Sequence, residues 1–263
     1  MNFDQIINIA THPLDDQAFQ NACRKVLDDN GVLVLPGFLT AHALSELQQE
    51  ARDGQDKAYF CAQNHNVYLT DADPAFDANH PRNREVVSSK GCICDDDVAA
   101  DSPLRGLYDA QRFRDFVMAV TGEQELHPYA DPLSSINIHY ANRGQELGWH
   151  FDNSSFAITL LIEKPDGGSR FEYMKDTRDA SRQKEGDAET HARLADLLDG
   201  RAAPDVLEME PGTLVLFRGR NAIHRVSPNE SDKTRMLAVL AYNAEAGVSL
   251  SESARMTFYG RLS

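Results

Sequence analysis

The second half of the chain is a series of short segments that have the side-chain pattern of β-strands. Residues 135 to 140 and 170 to 173 alternate apolar and polar side chains, and residues 156 to 162 form a mostly apolar run that is typical of a buried strand. Pairs of glycine and proline residues separate these segments and supply the turns between them. Many short strands joined by such turns are typical of a barrel or a jelly roll. The pattern predicts a mainly β fold, with a jelly-roll core over residues 126 to 263.

The first half of the chain predicts helices rather than strands. Residues 13 to 29 carry apolar side chains at helical spacing and end at an Asn-Gly pair. Thr40 has the chemistry of a cap for a second helix that reaches residue 53. Residues 103 to 121 predict a third helix, which a glycine ends. We expect these helices to pack on one side of the jelly roll.

Two segments fit neither pattern. Residues 54 to 103 are polar and irregular, which indicates either a functional lid or a partly ordered insertion. Residues 177 to 200 are highly charged and predict a solvated helical insertion within the β-rich half. No internal repeat or low-complexity linker divides the chain. We therefore expect one domain over residues 1 to 263, in which residues 1 to 125 form the helical cover and the irregular lid.

The charge of the chain excludes several classes of partner. A net charge of −15 and a pI near 4.9 argue against a nucleic acid or an anionic membrane surface as the partner. No apolar run approaches the roughly 18 residues of a membrane span, and the first residues lack the pattern of a signal peptide. We therefore expect a cytoplasmic protein that acts on a small molecule, with its four cysteines as plain thiols.

Three side chains of the β-rich half could hold a metal ion. His150 and Asp152 are two residues apart, so both face one side of an extended strand while Phe151 faces the other. His224 follows a strand-like run and could supply a third ligand. Two imidazoles and one carboxylate can occupy one face of a six-coordinate Fe(II), which leaves the remaining positions open for an organic cosubstrate and O₂. This set predicts a metal centre that activates oxygen.

These residues resemble the motif of the Fe(II)/2-oxoglutarate-dependent oxygenases. The chain has His150-x-Asp152, the distal His224, and Arg235 eleven residues later. The segments 137 to 140, 148 to 153 and 167 to 173 look like a narrower branch, which contains hydroxylases and halogenases of free amino acids. The resemblance covers residues 126 to 262 well and the first half only in outline.

The resemblance implies a cofactor set, a reaction and a product. Fe(II), 2-oxoglutarate and O₂ would be used to hydroxylate an aliphatic C–H bond of a small polar substrate, such as a free amino acid or a derivative, with release of succinate and CO₂. The halogenases of the branch have a small residue where this chain has Asp152, and the space admits chloride. Because the carboxylate is present here, hydroxylation is the implied outcome and not chlorination.

The resemblance also implies a clamp for the cosubstrate. Arg235 would pair with the far carboxylate of 2-oxoglutarate, since a guanidinium can grip a carboxylate through two parallel hydrogen bonds. Many relatives have a serine two residues after this arginine, where the chain has Leu237. Asn137 or Tyr140, on the strand before the motif, could assist Arg235 instead.

Three further residues could contact the substrate, each with a simpler alternative. Asn153 directly follows the carboxylate of the motif and could reach a polar substrate, or it could stabilise a turn. Asp131 could pair with an ammonium group or occupy a turn, and Arg84 could clamp a carboxylate or be a solvated loop charge.

Two other functions remain open on the same fold. A cupin-like dioxygenase or isomerase would keep the metal and dispense with 2-oxoglutarate. A non-catalytic sensor would bind a small molecule and release no succinate. Arg235 separates the first of these from the oxygenase, since a cupin-like enzyme needs no carboxylate clamp at that position.

Overall fold

The computed structural model describes residues 1–182 and 186–263, which form one curled sheet covered by helices. The helices are α1 (Phe3–Ile6), α2 (Gln17–Asn30), α3 (Ala41–Gly54), α4 (Pro103–Tyr108), α5 (Gln111–Thr121), α6 (Ala188–Leu198) and α7 (Glu252–Tyr259). The strands are β1 (Val32–Leu35), β2 (Tyr59–Asn66), β3 (Glu85–Ile93), β4 (Ile136–Ala141), β5 (Leu147–His150), β6 (Ala157–Glu163), β7 (Phe171–Met174), β8 (Asp205–Leu207), β9 (Leu214–Phe217), β10 (Ile223–Val226) and β11 (Arg235–Leu240).

The sheet folds over on itself as a jelly roll. Its strands are hydrogen-bonded in the order β1-β9-β6-β11-β4-β3-β5-β10-β7-β8, and β2 pairs with β3. β3 joins the two halves, because Gly91 pairs with Tyr140 on β4 whereas Ser88 pairs with Leu147 on β5. Residues of β4, β6 and β11 line the same cavity as residues of β5, β7 and β10. The predicted fold class, mainly β with a jelly-roll core, is confirmed.

The helices of the first half pack on the face of the sheet that is turned away from this cavity. Alternation along each strand sends one set of side chains to the cavity and the other set to the helices. The second set shares one apolar core with the buried faces of α2, α3, α4 and α5. Its members include Leu27, Leu47, Phe113 and Phe116 from the helices, and Ile138, Leu160, Leu216 and Ala238 from the strands.

The start of α3 and the end of α2 lie at the capping threonine and the glycine that the sequence predicts. Thr40 accepts a hydrogen bond from the N–H of Ala43 at 3.2 Å and so caps α3. α2 ends at Gly31, whose φ of 72° lies in the left-handed region that glycine tolerates. The predicted third helix is divided into α4 and α5, because Ala110 is extended and begins a new helix.

Residues 54 to 103 are more regular than expected. β2 and β3 form a hairpin with eight paired positions, from Tyr59 opposite Cys92 to Asn66 opposite Glu85. The expectation of an irregular lid is therefore wrong for these strands, and the sheet crosses the predicted boundary after residue 125. The sequence did not predict β2 because the side chains that this strand directs into the cavity are mostly polar. The strand therefore lacks the alternation of apolar and polar residues that would identify it.

The predicted solvated helix between residues 177 and 200 is in part a packed one. Leu194 and Leu197 of α6 are buried beside Trp149 and Phe151, directly behind the predicted metal-binding motif. Residues 183 to 185 of that predicted insertion lie outside the described residues. Among the helices of the described residues, none has both the length and the apolar character that crossing a membrane requires.

Candidate active site

The structure brings His150, Asp152 and His224 together at one end of the cavity. His150 is the last residue of β5 and pairs directly with His224 on β10. Asp152 lies two residues further on, in the irregular segment between β5 and β6. Its Oδ1 is 3.7 Å from Nε2 of His150 and 3.5 Å from Nε2 of His224. One ligand atom from each residue lies within 4.8 Å of the others, which is the spacing of a metal site.

Both imidazoles are oriented by main-chain carbonyl groups. Nδ1 of His150 donates to the carbonyl of Gly148 at 2.8 Å, and Nδ1 of His224 donates to the carbonyl of Ala222 at 3.0 Å. The proton is thereby held on Nδ1 of each ring, and the lone pair of Nε2 faces the third ligand. Burial, and then the close approach of the His224 ring, lowers the pKa of His150 to about 3. The ring is therefore neutral, which is the form that binds a metal ion.

The carboxylate of Asp152 lacks a partner that a metal ion would supply. Its Oδ2 is buried and has no hydrogen bond from the described residues. Burial alone would raise the pKa of Asp152, but the adjacent His224 and His150 lower it, so the group is charged. An unpaired buried carboxylate oxygen is costly without a cation. The donor set and this orphaned oxygen both fit Fe(II) at the centre of the three side chains.

Gly219 leaves room for the carboxylate and for one imidazole. Its carbonyl accepts a hydrogen bond from the N–H of Asp152 at 3.1 Å. A Cβ at this position would lie 2.6 Å from Cγ of Asp152 and 2.7 Å from Cε1 of His224. Both distances are too short for non-bonded atoms, so the site depends on a glycine here.

A chain of hydrogen bonds connects His150 to the β2–β3 hairpin. The hydroxyl of Ser88 donates to Nε2 of His65 at 2.6 Å and accepts from the N–H of Gly148 at 2.9 Å. The carbonyl of Gly148 is the group that holds Nδ1 of His150. The hairpin therefore helps to set the orientation of a candidate metal-binding ring, a contact that no local sequence pattern predicts.

The cavity beside the three side chains has a volume of about 290 Å³. Apolar side chains surround the metal-binding end, including Phe171 and Phe217, whose rings lie 5.6 Å and 4.8 Å from the ring of His224. Arg235, at the start of β11, lines the same cavity. The structure thus places a guanidinium and the three candidate metal ligands around one cavity.

Arg235 is buried and unpaired. No carboxylate of the described residues lies within ion-pair distance of its guanidinium, and only 7% of the residue is exposed. Burial lowers the pKa of Arg235 to about 10, so the group stays charged at neutral pH. A buried charge of this kind requires an anion, and a carboxylate would satisfy it with two hydrogen bonds.

The two residues that were expected to assist Arg235 are already engaged elsewhere. Asn137 donates to the carbonyls of Leu133 and Ile136, and its oxygen accepts from the hydroxyl of Tyr259 at 2.9 Å. The hydroxyl of Tyr140 donates to a carbonyl of α3 at 2.7 Å. These hydrogen bonds leave neither side chain free to hold a cosubstrate. The sequence could not reveal this, because strand alternation shows which side a residue faces but not which neighbouring groups bind its side chain.

The three expected substrate contacts do not line the cavity. Arg84 forms an ion pair with Asp199. Asp131 accepts from the N–H groups of Leu133 and Leu250, as a turn residue does. Asn153 is exposed, and its carbonyl accepts from a neighbouring arginine. The simpler alternative, a turn residue, describes Asp131 in this structure, whereas Arg84 is ion-paired rather than a solvated loop charge.

Comparison with known proteins gives a consistent assignment. The family model for halogenase D matches residues 14–257 of the chain. No curated protein matches the chain significantly. Among solved structures, EctD from S. alaskensis with 2-oxoglutarate and 5-hydroxyectoine is 20% identical, with a TM-score of 0.56 over 99% of this chain and 89% of that one.

Other solved structures share the fold at lower identity. An oxidoreductase of the 2OG-Fe(II) oxygenase family from Burkholderia pseudomallei is 15% identical, with a TM-score of 0.54 over 88% of this chain and 93% of that one. A prolyl-4-hydroxylase from Pseudomonas putida is 13% identical, with a TM-score of 0.51 over 84% of this chain and 97% of that one. At these identities the likeness concerns the fold alone, whereas the family model covers nearly the whole chain. The chain belongs to the halogenase D family, and is therefore an Fe(II)/2-oxoglutarate-dependent oxygenase with iron and 2-oxoglutarate as its cofactors.

Proposed function

We propose that this oxygenase hydroxylates an aliphatic C–H bond of a free amino acid or a derivative of one. His150, Asp152 and His224 would hold the iron, and Arg235 would hold the far carboxylate of 2-oxoglutarate. One substrate C–H bond becomes C–OH, while 2-oxoglutarate and O₂ yield succinate, CO₂ and the inserted oxygen atom. The single observation that carries the proposal is the meeting of the complete two-histidine, one-carboxylate set with an unpaired arginine in one cavity.

The residues of the chain have simple tasks in this reaction. Iron with 2-oxoglutarate supplies the oxidising chemistry when bound. The main-chain carbonyls keep a proton on Nδ1 of each imidazole and aim Nε2 at the metal position. Phe171 and Phe217 keep water away from the reacting end, and Arg235 fixes the opposite end of the cosubstrate by charge and geometry. The volume of the cavity supports a small substrate rather than a polymer.

Asp152 supports hydroxylation over chlorination. The name of the family would equally suggest a halogenase, but a halogenase of this branch needs a vacant metal position for chloride. Here the carboxylate lies 3.5 Å from Nε2 of His224 and fills the space opposite Gly219. Because the family uses 2-oxoglutarate, membership of it argues against a cupin-like enzyme that does without this cosubstrate. Because the family consists of enzymes, membership also argues against a non-catalytic sensor.

Replacement of His224 tests the proposal. The enzyme would be screened with free amino acids for succinate release, and each product analysed by mass spectrometry in buffers with and without chloride. We expect a gain of one oxygen atom in both buffers, and no substrate-dependent succinate from the His224→Ala variant. His42→Ala, at an exposed position on α3, is the matched control. Undiminished turnover in His224→Ala, or exchange of hydrogen for chlorine, would refute the proposed reaction.

A further inference from the structure

A second basic side chain shares the cavity wall with Arg235. Lys90 on β3 pairs with Cys61, and the pairing of Gly91 with Tyr140, continued by one residue, sets Lys90 opposite Ala141 on β4. Ala141 is also the partner of Arg235 on β11. Lys90 and Arg235 therefore flank one small residue in a single row across three strands, and both line the cavity.

His139 holds the ammonium group of Lys90 in this wall. Nζ of Lys90 lies 3.1 Å from Nε2 of His139 and 5.2 Å from the centre of the Phe258 ring. An ammonium group can only donate, so the ring nitrogen accepts and the imidazole is neutral. Burial, and then the charges of Lys90 and Arg235, keep the pKa of His139 well below its ordinary value, in agreement with this arrangement.

The two cations lack the counter-charge that half-buried cations of this chain have elsewhere. Arg225 forms an ion pair with Glu172 at 2.6 Å, and Arg105 forms one with Asp95. No described carboxylate lies within ion-pair distance of Lys90, although Glu146 lines the same cavity. Two like charges that are removed from water without a partner oppose folding. A wall of this kind is suited to an anion that enters from outside.

We propose that Lys90, held by His139, forms a second carboxylate-binding position beside Arg235. The identity of its occupant rests on the proposed function, which supplies two sources of a carboxylate. The far carboxylate of 2-oxoglutarate would bridge Lys90 and Arg235, or the carboxylate of the amino-acid substrate would bind Lys90 while Arg235 holds the cosubstrate. In either case the ammonium group donates a charge-assisted hydrogen bond.

Lys90→Met tests the position, since methionine keeps the length of the side chain and removes its charge. Binding of 2-oxoglutarate to the Fe(II)-loaded enzyme is measured by calorimetry without oxygen, and binding of each standard amino acid to the enzyme with both cofactors is measured in the same way. Lys57→Met, at an exposed position, is the matched control. Loss of one charge-assisted hydrogen bond should weaken the ligand concerned by roughly ten- to a hundredfold.

The ligand that loses affinity identifies the source. Weaker 2-oxoglutarate binding shows that the cosubstrate uses Lys90, whereas unchanged 2-oxoglutarate with weaker amino-acid binding shows that the substrate does. Unchanged affinity for every ligand in a folded Lys90→Met variant overturns the proposal. If the unmodified enzyme hydroxylates no amino acid, but Lys90→Met still weakens the binding of 2-oxoglutarate or of an amino acid, the proposed reaction is wrong and the carboxylate-binding position stands.

The unmodified protein offers a second test that needs no folded variant. Burial lowers the pKa of Lys90, which raises the fraction of reactive neutral amine. Acetylation of Lys90 by acetic anhydride, measured by peptide mass spectrometry, should slow at least severalfold when 2-oxoglutarate or the bound amino acid is present. Acetylation of Lys57 should not change. Equal acetylation of Lys90 with and without these ligands would also overturn the proposal.

Discussion

Gly219→Ala is the substitution with the most specific expected effect on iron binding. Gly219 is not itself a metal ligand, and alanine adds only one methyl group. That group would lie 2.6 Å from Cγ of Asp152 and 2.7 Å from Cε1 of His224. Carbon atoms in contact are comfortable at about 3.5 Å or more, so a ligand must move by about 1 Å.

The magnitude follows from this displacement. A misplacement of about 1 Å at a reacting or binding group costs roughly a hundredfold, which equals about 2.7 kcal/mol. The crowding itself should cost about 1–3 kcal/mol of folding free energy. For a domain of this size, each kcal/mol corresponds to about 2–4 °C in Tm. We therefore expect a folded protein with a modestly lower Tm and an iron affinity reduced by about two orders of magnitude.

The assay is an anaerobic Fe(II) titration with 2-oxoglutarate, followed through the visible charge-transfer band of the chelate. Gly167→Ala is the matched control, because a Cβ there would meet no atom closer than 3.7 Å and its nearest neighbour is Glu230 rather than one of the three ligands. The reasoning is wrong if Gly219→Ala binds iron as tightly as the unmodified enzyme while Gly167→Ala behaves normally.

Two further predictions concern the support of the site and of the fold. Ser88→Ala removes the donor to His65 and the acceptor for Gly148, so it should cost about 1–3 kcal/mol in denaturant unfolding and at least tenfold in iron affinity; an unchanged iron titration would contradict this role. Burial would raise the pKa of Glu163, but hydrogen bonds from Lys233 and Arg52 lower it overall. Its charge therefore stabilises the fold above the unfolded pKa of about 4.3, and this contribution is lost as the pH falls through the lower folded value. Glu163→Gln should thus reduce Tm at pH 7 by an amount that disappears in acid, and a constant difference across the pH range would disprove the linkage.

The sequence predicts those parts of the site that depend on strand alternation. His150 and Asp152 face the cavity while Phe151 packs behind it, as two-residue periodicity requires. Arg235 was identified through the resemblance, as the arginine eleven residues after His224. The core strands and helix ends follow from equally local signals, namely apolar spacing, caps and glycine.

The remaining parts of the site depend on contacts that no local pattern contains. Lys90 and His139 belong to strands whose neighbours are far apart in the chain, so their meeting follows only from the sheet order. Asn137 has the same strand periodicity as His139, yet Tyr259 of α7 engages its side chain. Tertiary hydrogen bonds of this kind decide which polar residue of a strand remains available to a ligand.

Because His150 pairs directly with His224, the site depends on the exact number of residues in β5 and β10. Successive strand residues face opposite sides, so a slip of one residue between β5 and β10 would turn one imidazole out of the cavity. The register between β10 and β5 shifts between His224 and Val226, and this shift keeps the two histidines opposite each other with the present number of residues. Single-residue insertions and deletions in these two strands should therefore abolish activity as completely as replacement of His150 or His224.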